Sequence, residues 1–570
     1  MTEVVEAERT ARRTGAAVLA DMLEGYGVTH FFMVPAVLRR TMMELERRTS
    51  ITRIHAHGEK AAAYMADGYA RATGRPGICG AQVVGALNLA AGLRDAWLAH
   101  SPVIAFTGGR DPETKYKQVY QEVDDVPGFE RVTKMNATVD RVDRIPDMVS
   151  QAFRVATTGC PGPVHLQFQG NEAQLDAGEA EMSAEVDQRF SAVPAFRPRA
   201  DAASLASCLD LFEHSERPVI VAGGGVRLSS AGAELVQLAE ALSVPVVTSL
   251  NGRDSISGNH PLACGVIGAY ARASANEVVR RADFVCFVGT SAGSLTTHSW
   301  TVPLPGVAAA QIDIDGAQLG RNYPLRLAVN ADAKSVLGDM VALASRRVAP
   351  SRPAWLAEVQ AINAQWRDRE SEVMSSDATP MRPERLCADL TSLVPSDGIV
   401  VVDTGHAGMW MGGYFDLASP RQSYMRSCGH LGWAFPAGLG AKCGAPNRPT
   451  VVFTGDAGLW YHVAEIETAV RWGIASVTVV NNNGSGNQSK RGFDRAYGGQ
   501  PTPRSRELWT YREVNFARLA EGIGALGIRV ESPQALPGAI EQALASGRPA
   551  VVDVVTDIEA LAPLMPRGGS

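Results

Sequence analysis

The sequence predicts an α/β protein built from three doubly wound parallel-sheet domains. Its 570 residues are enough for roughly three or four domains of ordinary size. Short apolar runs alternate with helical patterns of about 10–15 residues along most of the chain, which is typical of parallel strands joined by crossover helices. Apolar residues make up 45% and charged residues 20%, a balance that indicates a globular chain and excludes a disordered one.

Three blocks of this alternation are expected at residues 10–180, 195–350 and 380–560. The predicted strands are Gly77–Ala81, Pro102–Thr107 and Pro163–Gln167 in the first block, Pro218–Ala222, Pro245–Thr248, Phe284–Val288 and Ala310–Ile314 in the second, and Gly398–Asp403, Thr450–Thr454, Ser476–Val480 and Pro549–Val554 in the third. We expect one linker from Asn171 to Ala200 and a second that includes Ala349–Pro353 and Ser375–Pro380, where the chain is irregular or carries prolines.

Charge and hydropathy exclude several classes of function. Lys and Arg number 54 against 60 Asp and Glu, so the net charge of −6 argues against a nucleic-acid-binding surface. No apolar run reaches the ~18 residues that a membrane span needs. The acidic start, Met1–Arg9, does not resemble a secretory signal, and the eight cysteines form no CxxC pair. These features predict a cytoplasmic protein with reduced thiols.

A carboxylate and an amide follow two successive predicted strands of the third block. Asp456 lies in Gly455-Asp-Ala-Gly458 and Asn483 in Asn481-Asn-Asn-Gly-Ser485, with a predicted helix, Tyr461–Trp472, between them. Ligands of open α/β sheets bind at the carboxyl ends of strands, and Mg²⁺ prefers oxygen ligands completed by phosphates and water. Glycines also let a backbone approach a diphosphate. The pattern therefore indicates a Mg²⁺-diphosphate site, and a surface turn beside a polar cluster is the alternative.

The same segment resembles the cofactor-binding motif of thiamine-diphosphate-dependent enzymes. The resemblance rests on Gly-Asp-Ala-Gly followed by Asn-Asn, with Asn483 standing 27 positions after Asp456. It implies that Asp456, Asn483 and the carbonyl of Ser485 bind Mg²⁺. Asn482 remains an alternative to Asn483 because three asparagines adjoin. Ala457 replaces the last glycine of the usual Gly-Asp-Gly, so the backbone there needs slightly more room.

A second match lies in the first block, where Ile54–Gly74 resembles the pyrimidine-binding domain of the same enzymes. Glu59 stands nine residues before Gly68, as the family's glutamate does before its Gly-Tyr-Ala-Arg. The resemblance implies that Glu59 shares a proton with N1′ of the aminopyrimidine. Two alternatives stay open, a solvated helical acid and a metal site in which an extended strand aligns His55, His57 and Glu59.

Further matches complete the expected site. Asp403–Trp410 resembles the family's diphosphate loop, and Ser427–Pro436 resembles the stretch under the bend of the cofactor. The resemblance implies that the cofactor-binding residues are Thr404, Gly405, His406, Ala407, Gly429, Leu431, Gly455, Asp456, Ala457, Gly458, Asn483 and Ser485. The carbonyl of Gly429 would accept a hydrogen bond from the 4′-amino group of the cofactor. The apolar side chain of Leu431 would support the bend between the two cofactor rings. Gln121 lies where the family presents a substrate-side catalytic group, whereas Gln82–Gly85 departs from the usual Ser-Gly-Pro-Gly.

The second block is less specific. Gly223–Gly225 follows a predicted strand and fits either a nucleotide cradle or a tight turn. The block resembles the central domain of acetolactate synthases, which holds FAD in some members, ADP or coenzyme A in others, and nothing in many. Thr290–Leu295 replaces the Arg-Phe-Asp-Asp-Arg of the FAD-binding members, so FAD or ADP stays open here.

The order of the three domains, pyrimidine-binding, central and diphosphate-binding, resembles that of the acetolactate synthase branch of these enzymes. It implies thiamine-diphosphate-dependent decarboxylation of a 2-oxo acid with carboligation to a second carbonyl, in a homodimer or homotetramer. Glu59 distinguishes the chain from glyoxylate carboligases, which lack that acid, and Gly492 replaces the tryptophan that selects the acceptor. A 2-hydroxyacyl-CoA lyase or oxalyl-CoA decarboxylase is the alternative. The basic segment Gln488–Arg495, with Lys490 and Arg491, fits a site for a substrate carboxylate or a coenzyme A phosphate, and a solvated loop is the other interpretation. A non-catalytic relative is disfavoured by the intact Glu59, Asp456 and Asn483.

Overall fold

The computed structural model describes residues 11–348 and 350–563. The acidic start at Met1–Arg9 and the linker residue Ala349 lie outside the described residues. The chain divides into two compact units, one comprising the chain up to Phe196 together with Pro436–Pro446, and the other the remainder. Three six-stranded parallel sheets, flanked by helices, confirm the predicted fold class.

The first unit contains one six-stranded sheet in the order β3-β2-β4-β5-β7-β6 and an antiparallel pair, β1 and β8. Its strands are β1 Ala11–Thr14, β2 His30–Met33, β3 Thr52–His55, β4 Gly77–Ala81, β5 Val103–Thr107, β6 Met135–Val139, β7 Val164–Phe168 and β8 Glu179–Met182. Its helices are α1 Gly15–Gly25, α2 Arg39–Arg48, α3 Glu59–Thr73, α4 Ala86–Leu98 and α5 Ile145–Thr157. The inner strands β4, β5 and β7 are buried along their whole length, as expected for strands covered on both faces.

The first sheet of the second unit has the order β11-β10-β9-β12-β13-β14. Its strands are β9 Pro218–Ala222, β10 Val246–Thr248, β11 Ala263–Val266, β12 Phe284–Val288, β13 Ala308–Asp313 and β14 Leu327–Asn330. The helices of this region are α6 Ala202–Glu213, α7 Gly224–Leu228, α8 Gly232–Leu242, α9 Ala273–Arg280, α10 Ala333–Ala344 and α11 Pro353–Met374.

The second sheet of that unit has the order β16-β15-β17-β18-β20-β19. Its strands are β15 Ile399–Val402, β16 Ser423–Arg426, β17 Thr450–Gly455, β18 Val477–Asn482, β19 Leu526–Val530 and β20 Ala550–Val555. The remaining helices are α12 Pro383–Leu393, α13 His406–Tyr414, α14 Ala434–Gly444, α15 Asp456–Trp460, α16 Glu465–Arg471, α17 Lys490–Ala496, α18 Phe516–Ile523 and α19 Leu536–Ala545.

Three local predictions are wrong. The predicted linker from Asn171 to Ala200 contains β8, whose backbone pairs with β1. Most of the second predicted linker is the 22-residue helix α11, which buries Trp355, Val359, Ile362 and Trp366 along one face. The start of the predicted helix Tyr461–Trp472 is wrong. The helix α15 begins earlier, at Asp456 behind the N-cap Gly455, and the chain leaves the helix between Tyr461 and Ala464 before α16 covers Glu465–Arg471.

Helix α14 packs against α3 within the first unit through two glycines. A Cβ on Gly440 would overlap the carbonyl oxygen of Met65, and one on Gly68 would overlap that of Ala437. Both glycines are therefore required by the close approach of the two helix backbones, not by a left-handed conformation.

We expect Gly440→Ala to lower the stability of the protein by about 1–3 kcal/mol or more, because the backbone of α3 must move to admit the methyl group. The matched control is Gly538→Ala in α19, where a Cβ meets no atom within 4 Å. That change should be neutral or stabilising by up to about 1 kcal/mol. Urea denaturation of both variants measures the difference, and equal midpoints would contradict the close packing.

Candidate functional site

Four neighbouring strands of the last sheet end at the same edge. They lie in the order β16-β15-β17-β18 and run parallel, so the loops after their carboxyl ends are adjacent. These loops carry the predicted cofactor residues, namely Gly429 and Leu431 after β16, Thr404, Gly405, His406 and Ala407 after β15, Gly455, Asp456, Ala457 and Gly458 at the end of β17, and Asn483 and Ser485 after β18. The topology thus brings together all the residues predicted in this part of the chain.

Asp456 is a buried carboxylate at this edge. It occupies the first turn of α15, is 3% exposed, and its Oδ2 accepts a hydrogen bond from the backbone N–H of Ser485 at 2.9 Å. Burial raises the pKa of Asp456 to about 7, and the nearby charge of Asp553 acts in the same direction. A cation bound to this carboxylate would relieve the cost of keeping it ionised.

The backbone of Ser485 faces the same carboxylate. Ser485 forms an isolated antiparallel bridge with Thr510, flanked by bonds from Gly486 N–H to the carbonyl of Trp509 and from Tyr511 N–H to the carbonyl of Gly484, both 2.7 Å. In an extended residue the N–H and the C=O point to the same side of the strand. The N–H of Ser485 donates to Asp456, so the carbonyl of Ser485 also points to the Asp456 side.

The two asparagines before this bridge have different surroundings. Asn482 ends β18, and its Nδ2 donates to the carbonyl of Val514 at 2.9 Å and to Oδ1 of Asp553 at 2.8 Å, while its Oδ1 accepts from Gly484 N–H. Asn483 accepts one side-chain bond, from the Ser485 hydroxyl at 2.9 Å. The fold therefore engages both ends of the Asn482 amide, and Asn483 is the asparagine placed beside Ser485.

Asp403 ties the loops of this edge together, and the sequence did not single it out. Its carboxylate accepts from the N–H of Thr404 at 2.8 Å, from the N–H of Gly432 at 3.0 Å and from the hydroxyl of Thr454 at 3.0 Å. These donors belong to the ends of three neighbouring strands. The available signal was an acid directly after the apolar strand β15, a position where a buried carboxylate needs several donors.

The loop after β15 leads into the nine-residue helix α13. Gly405 is its N-cap with a positive φ of 69°, so the turn requires glycine. Burial, assisted by the charge of Arg491, lowers the pKa of His406 to about 4, so its imidazole is neutral at pH 7. Its Nδ1 is buried without a hydrogen-bond partner in the described part of the chain. The first N–H groups of α13 and this nitrogen are thus polar atoms that an incoming ligand can satisfy.

Gly429 and Leu431 complete the edge after β16. Gly429 has a φ of 143°, and a Cβ there would meet no atom within 4 Å, so the chain borders open space. Leu431 is 39% exposed and its Cδ2 lies 3.7 Å from the Cβ position of Gly405. A large apolar side chain therefore stands at the opening beside the N-terminus of α13.

The basic segment after the asparagines is helix α17. Lys490 pairs with Asp494 at 2.8 Å and with Glu559 at 3.7 Å, and Arg491 donates to the carbonyl of Ala562 at 3.0 Å. Gly492 lies inside this helix. The segment is thus a helix rather than a loop, and protein acceptors bind the side chains of Lys490 and Arg491.

Glu59 lies in the first unit, at the first position of α3. Asn88 donates to its Oε2 at 3.3 Å, and a Cβ on Gly85 would overlap its carboxyl group, so Gly85 permits this close approach. The alternative metal site of His55, His57 and Glu59 is wrong, because β3 ends at His55 and the helix begins at Glu59. Across residues 11–348 and 350–563 no group of three or more acidic, His or Cys side chains could hold a metal.

Gln121, also in the first unit, belongs to a cluster of amides. It has a φ of 65°, and its Oε1 accepts from Gln82 Nε2 at 2.9 Å and from Asn171 Nδ2 at 3.2 Å. Both bonds go to the oxygen, so Nε2 is left to donate. Gln121 and Asn171 line a cleft of about 300 Å³ together with Arg110. Glu59 is bonded to Asn88 and not to this cluster.

The glycines of the central sheet serve packing. A Cβ on Gly223 would overlap the carbonyl oxygen of Gly289, and one on Gly225 would lie 2.6 Å from Gly289 Cα. These residues follow the adjacent strands β9 and β12. The tight-turn interpretation therefore accounts for Gly223–Gly225 without a nucleotide.

Asp456→Asn should change how the stability of the cation-free protein depends on pH. The folded pKa is about 7 against an ordinary value of 3.8, so the parent loses stability as pH rises between about 4 and 7, and the amide variant lacks that loss. At pH 8 in a chelator the variant should be the more stable protein, by up to about 4 kcal/mol. Urea titrations at about pH 4 and at pH 8 measure the stability difference between the parent and the variant, with the exposed Asp368→Asn as control. A difference that does not depend on pH would contradict the prediction.

Comparisons with known proteins agree with this geometry. Three family models match the chain: the N-terminal TPP binding domain of thiamine pyrophosphate enzymes over residues 13–127, their central domain over 205–340, and their C-terminal TPP binding domain over 403–554. Thiamine pyrophosphate is another name for thiamine diphosphate.

Curated relatives match along almost the whole chain. A probable acetolactate synthase large subunit of Methanocaldococcus jannaschii is 30% identical, covering 97% of this chain and 94% of that protein. The acetolactate synthase large subunit of Lactococcus lactis is 27% identical over 97% and 95% of the two chains. A glyoxylate carboligase of Escherichia coli O157:H7 is 30% identical over 94% and 92%. The chain therefore belongs to the thiamine pyrophosphate enzyme family, as an acetolactate synthase-like, thiamine-diphosphate-dependent carboligase or decarboxylase.

Proposed function

We propose that this enzyme decarboxylates a 2-oxo acid and joins the remaining fragment to a second carbonyl compound, as an acetolactate synthase-like transferase that uses thiamine diphosphate and Mg²⁺. The observation that carries the proposal is the buried Asp456 carboxylate beside Ser485 and Asn483 at the carboxyl edge of the last sheet. The names of the acetolactate synthase relatives support the choice of a 2-oxo acid as substrate.

The residues at this edge fit a magnesium diphosphate. Carboxylate, amide and carbonyl oxygens are the hard donors that Mg²⁺ prefers, and Asp456, Asn483 and Ser485 supply one of each. The N-terminus of α13 and the unpartnered His406 Nδ1 offer polar atoms to a phosphate or to water around it. Ala457 in place of glycine leaves these backbone donors intact.

Each residue has a role in the proposal. Asp456, Asn483 and the Ser485 carbonyl hold Mg²⁺, and Thr404, Gly405, His406 and Ala407, with Gly455, Ala457 and Gly458, line the diphosphate. Gly429 would accept a hydrogen bond through its carbonyl from the 4′-amino group of the bound cofactor, and Leu431 would pack against that cofactor. When bound, thiamine diphosphate supplies the electron sink for decarboxylation. Glu59 would hold the proton shared with the cofactor's aminopyrimidine, and Gln121 would donate a hydrogen bond from Nε2 to the substrate.

The proposal includes a division of labour among domains. Residues 10–180 form the pyrimidine-binding domain, 195–350 the central domain and 380–560 the diphosphate-binding domain. Because the family site combines a pyrimidine domain with a diphosphate domain of another subunit, the expected assembly is a homodimer or homotetramer. FAD or ADP is not part of the proposal, since packing accounts for the central glycines. A cytoplasmic location stays a prediction.

The acyl-CoA alternative has little support. In a 2-hydroxyacyl-CoA lyase or oxalyl-CoA decarboxylase the cations of α17 would be needed for a phosphate, but Lys490 and Arg491 already bind Asp494, Glu559 and the carbonyl of Ala562.

No helix in the described ranges is both long and apolar enough to cross a membrane, and nothing in the composition predicts a nucleic-acid partner.

The direct test is an assay with thiamine diphosphate, Mg²⁺ and a panel of 2-oxo acids and acyl-CoAs, with products identified. Pyruvate should release carbon dioxide and yield acetolactate or acetoin.

Glu59→Gln should lower kcat by about 10²-fold or more, because the amide cannot exchange the proton. The exposed Glu130→Gln, an acid-to-amide change in the same unit, should retain the parent rate. An inactive 2-oxo acid panel would refute the proposed reaction, and a fully active Glu59→Gln would refute the role of Glu59.

A pair of variants distinguishes the metal-binding asparagine. Asn483→Ala should raise the Mg²⁺ concentration needed for half-maximal thermal stabilisation, with thiamine diphosphate present, at least about tenfold. Asn482→Ala should instead lower the stability of the cation-free protein by about 1–3 kcal/mol, because Asp553 and Val514 lose their donor. Magnesium titrations followed by thermal melting report both effects. Reversed behaviour of the two variants would assign the ligand to Asn482.

A further inference from the structure

Three loops of the first unit lie at the amino ends of its parallel strands. This is the edge opposite to the carboxyl end of β3, which leads towards Glu59. His100 lies between α4 and β5, Cys160 between α5 and β7, and Lys134 directly before β6. The strands β5, β7 and β6 are consecutive and parallel, so the loops that enter them are adjacent. The topology therefore gathers a thiol, an imidazole and an ammonium group away from the residues proposed for catalysis.

The thiol and the imidazole are in direct contact. Sγ of Cys160 lies 3.0 Å from Nδ1 of His100, within hydrogen-bond range for sulfur. The Nζ of Lys134 donates to the carbonyls of Val155 and Thr158, the latter two residues before Cys160, and its stem reaches the Cβ position of Gly162 at 3.0 Å. A base in contact and a cation close by are the surroundings that favour the thiolate form of a cysteine.

The pair is also accessible. His100 is exposed and Cys160 is half-buried. Among the other cysteines, Cys79, Cys208, Cys264, Cys286 and Cys387 are buried. Burial raises the pKa of Cys443 to about 12, and Cys428 is half-buried with the amide of Asn251 donating to its sulfur at 3.7 Å. Cys160 has a basic side chain, His100, in hydrogen-bond contact.

We propose that Cys160 and His100 form a thiol-modification site that takes low-molecular-weight disulfides. His100 Nδ1 accepts the proton of the Cys160 thiol, and the thiolate attacks one sulfur of the disulfide. A new disulfide forms between Cys160 and that half of the reagent. The other half leaves as a thiolate, which takes up a proton from the imidazolium or from water. The exchange needs no other oxidant, and an added thiol reverses it by the same steps.

The test uses the full chain with oxidised glutathione at about pH 7, where an ordinary thiol is only a few per cent ionised. Peptide mass spectrometry follows the glutathione adduct at each cysteine with time. Cys160 should react at least about tenfold faster than Cys428, and dithiothreitol should remove the adduct. A Cys160 rate no higher than that of Cys428 would overturn the proposal.

The matched variant is His100→Asn. His100 has a φ of 54°, and asparagine tolerates this left-handed conformation while removing the base. The variant should slow modification of Cys160 at least about tenfold with an unchanged melting midpoint. Lys134→Met, which tests the cation separately, should slow the modification less.

If His100→Asn keeps the parent rate, the imidazole is not the base. If that variant unfolds, the parent's pH profile decides, because an activated Cys160 keeps its rate from pH 8 to about 6.5, whereas a Cys160 rate that falls in parallel with that of Cys428 refutes activation.

Discussion

The site depends on the parallel alignment of four adjacent strands, β16, β15, β17 and β18. Alignment alone brings their carboxyl ends to one edge, and the carboxylate of Asp403 then joins the loops by accepting from Thr404, Gly432 and Thr454. With these loops fixed, Asp456 can stay buried while the backbone N–H of Ser485 satisfies its Oδ2. The geometry expected to hold a cation thus comes from the backbone order of the sheet and from a carboxylate that is not itself a proposed ligand.

Every inner strand except β2 could be predicted from the sequence, whereas the edge strands could not. β9 and β12 are buried on both faces, so Pro218–Ala222 and Phe284–Val288 appear as continuous apolar runs with bounds that the structure confirms. The edge strands β6 and β19 are mostly half-exposed, and their mixed composition does not distinguish them from loops. The helix α11 was missed because only four of its side chains are buried over 22 residues.

The site could be predicted where chemistry is local in sequence. The acid after β17 and the asparagines after β18 are visible in the chain, as are the glycines beside them. What remained undecided was set by long-range contacts. Only the bonds from Asn482 to Asp553 and Val514 show that its amide belongs to the fold, and only the bridge to Thr510 shows which way the Ser485 carbonyl faces. Partners this far apart in sequence, such as Ser485 and Thr510, leave no periodic signal.

The bridge between Ser485 and Thr510 has an evolutionary consequence. The segment around Thr510 contributes no proposed ligand, yet it orients a carbonyl that does. We therefore expect substitutions near Trp509 and Tyr511 to alter divalent-ion binding at the proposed site while every proposed ligand is unchanged. Homologues that differ in metal preference should be compared along this supporting strand as well as along the binding motif.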